Sequence, residues 1–149
     1  MTFKNRDIYV DVDGTLANTD WRQHFLKVTP RNWTAFFENM IDDPPYSDMI
    51  WLVQTLALAG NRILICTGRT SEYKKVTSDW LNKNGVPFDE IYMRAPGDYR
   101  DDEVVKLELV DQMRAQGFDP TIALEDRNKV VEALRKSGMR VLHVQNGNF

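Results

Sequence analysis

Cysteine is nearly absent from this chain: Cys66 is the sole one in 149 residues. A disulfide framework is therefore excluded, and with two histidines the chain is poorly supplied for a Cys/His zinc centre. Long apolar runs are missing too, and none approaches the roughly 18 residues that a membrane span needs. The opening Met1-Thr2-Phe3-Lys4-Asn5-Arg6-Asp7 carries no apolar signal region. A reducing compartment, the cytoplasm, with no membrane partner, is the resulting expectation. Excess charge of either sign is also lacking: 19 basic residues face 22 acidic ones, a net of −3. Wrapping of duplex nucleic acid by a basic surface is not expected, although a local basic cleft stays open. There is no internal repeat, low-complexity segment or flexible linker, so the length predicts one domain over residues 1–149.

What is present is an alternation of strand and helix patterns. Ile8-Tyr9-Val10-Asp11-Val12-Asp13 reads as a first strand, ended by Gly14. Ile63-Leu64-Ile65-Cys66 is a continuous apolar run closed by Thr67-Gly68, as in a strand buried on both faces. Further strands are expected at 90–93, 121–124 and 141–144. Helical spacing falls between them. Ser47 is expected to cap a helix bearing Ile50, Val53, Leu56 and Ala57. Tyr73, Val76, Trp80 and Leu81 mark a second, Val105, Leu109 and Met113 a third after Asp101 or Asp102, and Val130, Val131 and Leu134 a fourth. This order predicts an α/β fold, a Rossmann-like doubly wound parallel sheet. Residues 18–45 break the pattern with Trp21, Phe25, Trp33, Phe36, Phe37 and then Pro44-Pro45. Two short helices forming a small cap over the carboxyl end of the sheet are expected there, because ligands bind at that end.

The chemistry concentrates at the strand ends. Asp11-Val12-Asp13-Gly14-Thr15 closes the first strand. Residues two apart in a strand share a face, which would put both carboxylates on one site roughly 6–7 Å apart. Thr67-Gly68-Arg69-Thr70-Ser71 ends the second, with a hydroxyl and a glycine ahead of a helix suited to an anion; alone, it is also an ordinary turn. Glu125-Asp126-Arg127 ends the fourth, and adjacent acids there also suit a helix N-terminus. Converging, Asp11, Asp13, Glu125 and Asp126 would repel one another unless they held a hard divalent cation, most simply Mg²⁺. Lys106 sits early in a helix, where it gains nothing from the helix dipole, so a carboxylate and a phosphoryl group are its natural partners. His24 and His143 read as packing or surface residues.

These motifs, in this order, resemble those of the haloacid dehalogenase superfamily of phosphatases. Gly97–Lys106, Glu125-Asp126-Arg127, Val130-Val131-Glu132 and the ending Val144–Phe149 further resemble the phosphatase half of phage-type polynucleotide kinase/phosphatases, over nearly the whole chain. The resemblance implies that Asp11 is a nucleophile that becomes an aspartyl phosphate, and that Asp13 protonates the leaving oxygen and then deprotonates the attacking water. It implies that Thr67 and Lys106 hold the phosphoryl oxygens. Mg²⁺ would bind Asp11, the main-chain carbonyl of Asp13 and Asp126, with Glu125 beside it. Gly68, Arg69, Arg22, Arg94, Arg127 and Asp102 match further substrate-binding positions. The expected substrates are 3′-phosphorylated ends of DNA or RNA, or nucleotides, with a 5′-nucleotide or other phosphometabolite as the alternative. Two departures stand out. Glu125 replaces an aspartate of the relatives, and no Gly-x-x-x-x-Gly-Lys-Ser/Thr loop is present for an ATP-dependent kinase. The oligomeric state is left open.

Overall fold

In the computed structural model, which describes residues 4–149, every strand of the central sheet runs parallel. The strands are β1 (Asp7–Val10), β2 (Arg62–Thr70), β3 (Glu90–Arg94), β4 (Pro120–Arg127) and β5 (Arg140–Gly147), in the order β3-β2-β1-β4-β5. The helices are α1 (Trp33–Glu38), α2 (Ser47–Leu58), α3 (Lys74–Lys83), α4 (Asp102–Ala115) and α5 (Asn128–Lys136).

Alternation along the buried strands builds two cores. Ile8 and Val10 of β1, with Ile63 and Ile65 of β2, pack against Ile50 and Val53 of α2 and Trp80 and Leu81 of α3. Tyr9, Leu64 and Cys66 face the other way, onto Val105, Leu109 and Met113 of α4 and Val130 and Leu134 of α5. Helices on both faces of one parallel sheet are the doubly wound α/β arrangement. The chain winds outward from β1 to β3, then returns to lay β4 beside β1. Ligands bind in the crevice that such a reversal opens at the carboxyl ends of the strands. Among the described residues no helix is long and apolar enough to cross a membrane.

Three expectations need correction. β1 ends at Val10, so Asp11 and Asp13 lie in the following loop, although Asp11 N–H still reaches the Leu124 carbonyl at 3.0 Å. β2 does not stop at Cys66 but runs to Thr70, because Thr70 regains pairing with Arg94 after an irregularity in the ladder. Ser47 is the first residue of α2 rather than its cap; Tyr46 occupies that position without a side-chain hydrogen bond.

Residues 18–45 form a closed excursion. Its ends are tied where Asn18 N–H donates to Pro44 O and Tyr46 N–H to Leu16 O, both at 2.8 Å. Within it lie a 3₁₀ segment (Asp20–Leu26), α1, and a second 3₁₀ turn (Asn39–Asp42). Asn32 caps α1 by accepting from Ala35 N–H.

Candidate active site

The loops after β1, β2, β3 and β4 and the excursion 18–45 enclose a cleft of about 1220 Å³. At its floor Lys106 projects from α4, only 3% exposed, with its ammonium 2.8 Å from Asp11 Oδ1 and 3.0 Å from Glu125 Oε2. Asp102, one turn earlier on the same helix, adds a carboxylate oxygen at 3.4 Å. The other Asp11 oxygen accepts from the Thr15 hydroxyl at 2.9 Å. Asp11, Glu125 and Asp126 each offer a carboxylate oxygen, and these oxygens all lie within 4.8 Å of one another.

The electrostatics follow from crowding. Burial and the neighbouring Glu125 push the Asp11 carboxyl well above its ordinary range, with Lys106 pulling the other way. Burial likewise pushes Asp126 up to about 6. Lys106 is held charged against the cost of its own burial, chiefly by Asp11 and Glu125. A cation held among these oxygens would offset the burial and mutual repulsion that raise Asp11 and Asp126. The donor set is all oxygen and therefore hard, which suits Mg²⁺. Glu125 supplies one of the three clustered oxygens, and both of its oxygens also accept hydrogen bonds. Its Oε2 already accepts from Tyr9 Oη at 2.6 Å and from Lys106, and its Oε1 from Asp126 N–H at 3.2 Å and Arg127 N–H at 3.4 Å. It ties β1, α4 and the end of β4 together at the cleft floor.

Asp13 is turned to a different partner. Its carboxylate meets the Arg69 guanidinium at 2.6 Å and Arg22 at 3.6 Å. Burial would raise its pKa, but Arg69 outweighs that and holds it below the usual carboxylate value. Behind this pair sits a residue that the sequence did not single out. The Asp43 side chain is fully buried and accepts from Trp21 Nε1 at 2.9 Å, from Arg22 Nε at 2.6 Å and from Arg69 at 3.3 Å. Its carbonyl accepts from Trp80 Nε1 at 2.8 Å. Asp43 thus fixes both arginines, and through Arg69 it fixes Asp13. Two further supports were missed, Tyr9 beneath Glu125 and Thr15 beneath Asp11. A tyrosine in the middle of a buried strand needs a partner for its hydroxyl, which was the available signal for Tyr9.

Gly68, Arg94, Asp102 and Arg127 also line the cleft, whereas Thr67 is fully buried just behind it. The Thr67 hydroxyl accepts from Arg69 N–H at 3.1 Å. Gly68 leaves no space for a side chain, since a Cβ there would overlap Asp102 Oδ1. Arg94 donates to Asp102 at 3.0 Å and to the Gly68 carbonyl at 2.9 Å, and Arg127 lies 3.6 Å from Asp102. These arginines are largely spent on holding loops. His143 Nε2 lies 2.7 Å from the Asp126 carbonyl, a brace for the main chain. Gly14 combines a φ of +83° with the close approach of Asp126, whose Oδ2 would overlap an added Cβ. Gly14→Ala is therefore expected to displace Asp126 and lower kcat by about 100-fold, the cost of a misplacement of about 1 Å. Steady-state kinetics checks this, and near-normal turnover would contradict the placement of Asp126.

The model of the polynucleotide kinase PNKP phosphatase domain matches residues 5–149. Among solved structures, the chain is similar to one in a Pnkp1/Rnl/Hen1 RNA repair complex, at 25% identity and a TM-score of 0.82, covering 97% of this chain and 44% of that one. A second Pnkp1/Rnl/Hen1 complex gives 24% identity and 0.82, with 98% and 48% covered. A haloacid-dehalogenase-like hydrolase from Streptococcus pneumoniae shares the fold at 14% identity and a TM-score of 0.67, with 93% and 84% covered. The chain thus spans less than half the length of the chains of those complexes that it matches. A match over residues 5–149 is nearly the whole sequence, and it places this chain in the family of polynucleotide kinase phosphatase domains, a phosphatase family of the haloacid dehalogenase type.

Proposed function

We propose that this domain is a Mg²⁺-dependent phosphomonoesterase that removes 3′-phosphates from nucleic-acid ends through an aspartyl-phosphate on Asp11. The observation that carries the reading is the Asp11 carboxylate, buried at the cleft floor with one oxygen on Lys106 and the other on Thr15. Lysine and hydroxyl fix the direction of attack, and proximity supplies much of the rate. Asp11 and Asp126, with the Asp13 carbonyl, would hold the cation, which neutralises charge on the phosphoryl oxygens when bound. Lys106 and Thr67 would receive those oxygens. Asp13 would protonate the leaving oxygen and later take a proton from water. Its pairing with Arg69 favours the carboxylate, which suits the later step as base; for the first step Asp13 must take up a proton, from solvent or from the incoming phosphate, that it then passes to the leaving oxygen. Residues 18–45 would act as the cap, sharing the cleft wall with these groups.

A second reading, hydrolysis of 5′-nucleotides or another compact phosphometabolite, is favoured by one observation. Arg22, Arg69, Arg94 and Arg100 are each paired within the protein, which leaves little free positive charge to track a polynucleotide backbone. A substrate panel separates the two. A 3′-phosphorylated oligonucleotide, nucleoside 3′-monophosphates and 5′-nucleotides are compared in Mg²⁺ and in EDTA. Turnover confined to Mg²⁺ and greatest on 3′-phosphates is expected. Faster turnover of 5′-nucleotides would establish the second reading, and equal rates in EDTA would remove the cation from the proposal.

A further inference from the structure

We propose that the aromatic wall of this cleft is a base-stacking subsite for the unpaired terminal nucleosides of a single-stranded 3′-phosphorylated end. The inference rests on the phosphatase reading above and concerns what the leaving oxygen is attached to. Of the three solvent-open aromatic residues that line the cleft, Phe149, 66% exposed, carries the Arg127 guanidinium on its ring, which leaves Trp33, 47% exposed, and Tyr99, 94% exposed. Core packing accounts for neither.

Trp33 ends a stack of rings. Its indole lies on Phe37 at 5.8 Å and 21°, and Phe37 lies on Tyr73 at 4.6 Å and 20°. Phe36 meets the indole edge-on at 5.9 Å and 86°. The plane of Trp33 is thereby set from beneath, and a flat ring laid on its open face extends the stack. Tyr99 comes from a separate segment, the loop between β3 and α4, which is latched on both sides of it. Arg94 donates to the carbonyls of Asp98 at 3.0 Å and Arg100 at 2.7 Å. The Arg100 guanidinium in turn clamps Asp98 at 2.9 Å and Glu108 at 2.6 Å. A loop braced by two arginines thus offers a phenol ring to the solvent.

Flat rings in the same cleft as Asp11 and Lys106 fit one kind of occupant well: a planar base carried by a phosphorylated sugar. Stacking is sequence-tolerant because every base has a π-face. Paired bases in a duplex already spend their faces on neighbours, so the subsite favours an unpaired end. It also fits a site whose arginines are internally paired, since stacking rather than phosphate contact then carries the binding.

The test compares two single-stranded 3′-phosphorylated oligonucleotides, one with ordinary terminal bases and one with tetrahydrofuran abasic units at its last two positions. For the wild-type protein kcat/KM is expected to be about 5- to 100-fold lower on the abasic strand. Tyr99→Ala and Trp33→Ala should each shrink that ratio by slowing the base-bearing strand, and Tyr99→Phe should preserve it. Tyr99 is so exposed that its replacement spares the fold, which guards against a loosened cap in Trp33→Ala. Equal wild-type turnover of both strands, or a ratio that survives both alanine substitutions, overturns the stacking subsite and leaves the phosphatase reading standing. Turnover of neither strand, with 5′-nucleotides hydrolysed, overturns the 3′-end reading and the subsite with it.

Discussion

Asp11→Asn is expected to abolish phosphate release, with kcat lowered by about four orders of magnitude or more, while the protein stays folded. The amide is nearly isosteric, so its oxygen can still face Thr15 or Lys106. Lys106 also keeps Glu125 at 3.0 Å, so the buried ammonium is not orphaned. What disappears is the nucleophile. An amide oxygen does not form a stable acyl phosphate, and removal of a covalent nucleophile costs catalysis by factors of this size in other enzymes. The measurement is phosphate release on the best substrate of the panel, alongside a thermal melt. A folded variant retaining a tenth of the wild-type rate would show that Asp11 is not the attacking group.

The convergence of Asp11, Lys106, Glu125 and Asp126 was legible because parallel strands put their carboxyl ends on one side. Asp11 follows β1, Glu125 and Asp126 end β4, and β1 and β4 are neighbours. Lys106 belongs to α4, whose position over the sheet brings it back to the same end. Strand periodicity put Asp13 in the right cleft, which it lines beside Asp11, but with the wrong local structure and partner. The strand stops before the motif, and from the loop Asp13 reaches Arg69 rather than the carboxylate cluster. Asp43 was hidden for a related reason. In Asp42-Asp43-Pro44-Pro45 it reads as a turn, and no spacing announces that a 3₁₀ turn will bury it beneath two arginines. The aromatic cap was visible in outline. Trp33, Phe36 and Phe37 do occupy a helix, whereas Trp21 and Phe25, four apart, lie in a 3₁₀ segment. Intrinsic spacing identifies elements repeated through the fold, and one-off loops escape it.

Lys106→Met should cost stability as well as activity, and its pH dependence distinguishes an electrostatic role from packing. Methionine nearly matches the length of lysine but supplies no charge. Asp11 and Glu125 would then be buried without their shared ammonium. Breaking a buried ion pair from one side costs about 3–5 kcal/mol, and in a domain of this size that lowers Tm by roughly 10–15 °C. The sign follows from the acids. Asp11 already sits well above its ordinary pKa and Asp126 at about 6, so the folded state binds protons more tightly than the unfolded chain. Stability from such groups is present at low pH and is lost as pH rises through the folded pKa. Without the ammonium these pKa values climb further, so the deficit of Lys106→Met should be largest near pH 8 and shrink near pH 5. Thermal denaturation of both proteins in EDTA at the two pH values measures it. An equal deficit at pH 5 and pH 8 would mean that Lys106 merely fills space, and the charge balance at the cleft floor would have to be drawn differently.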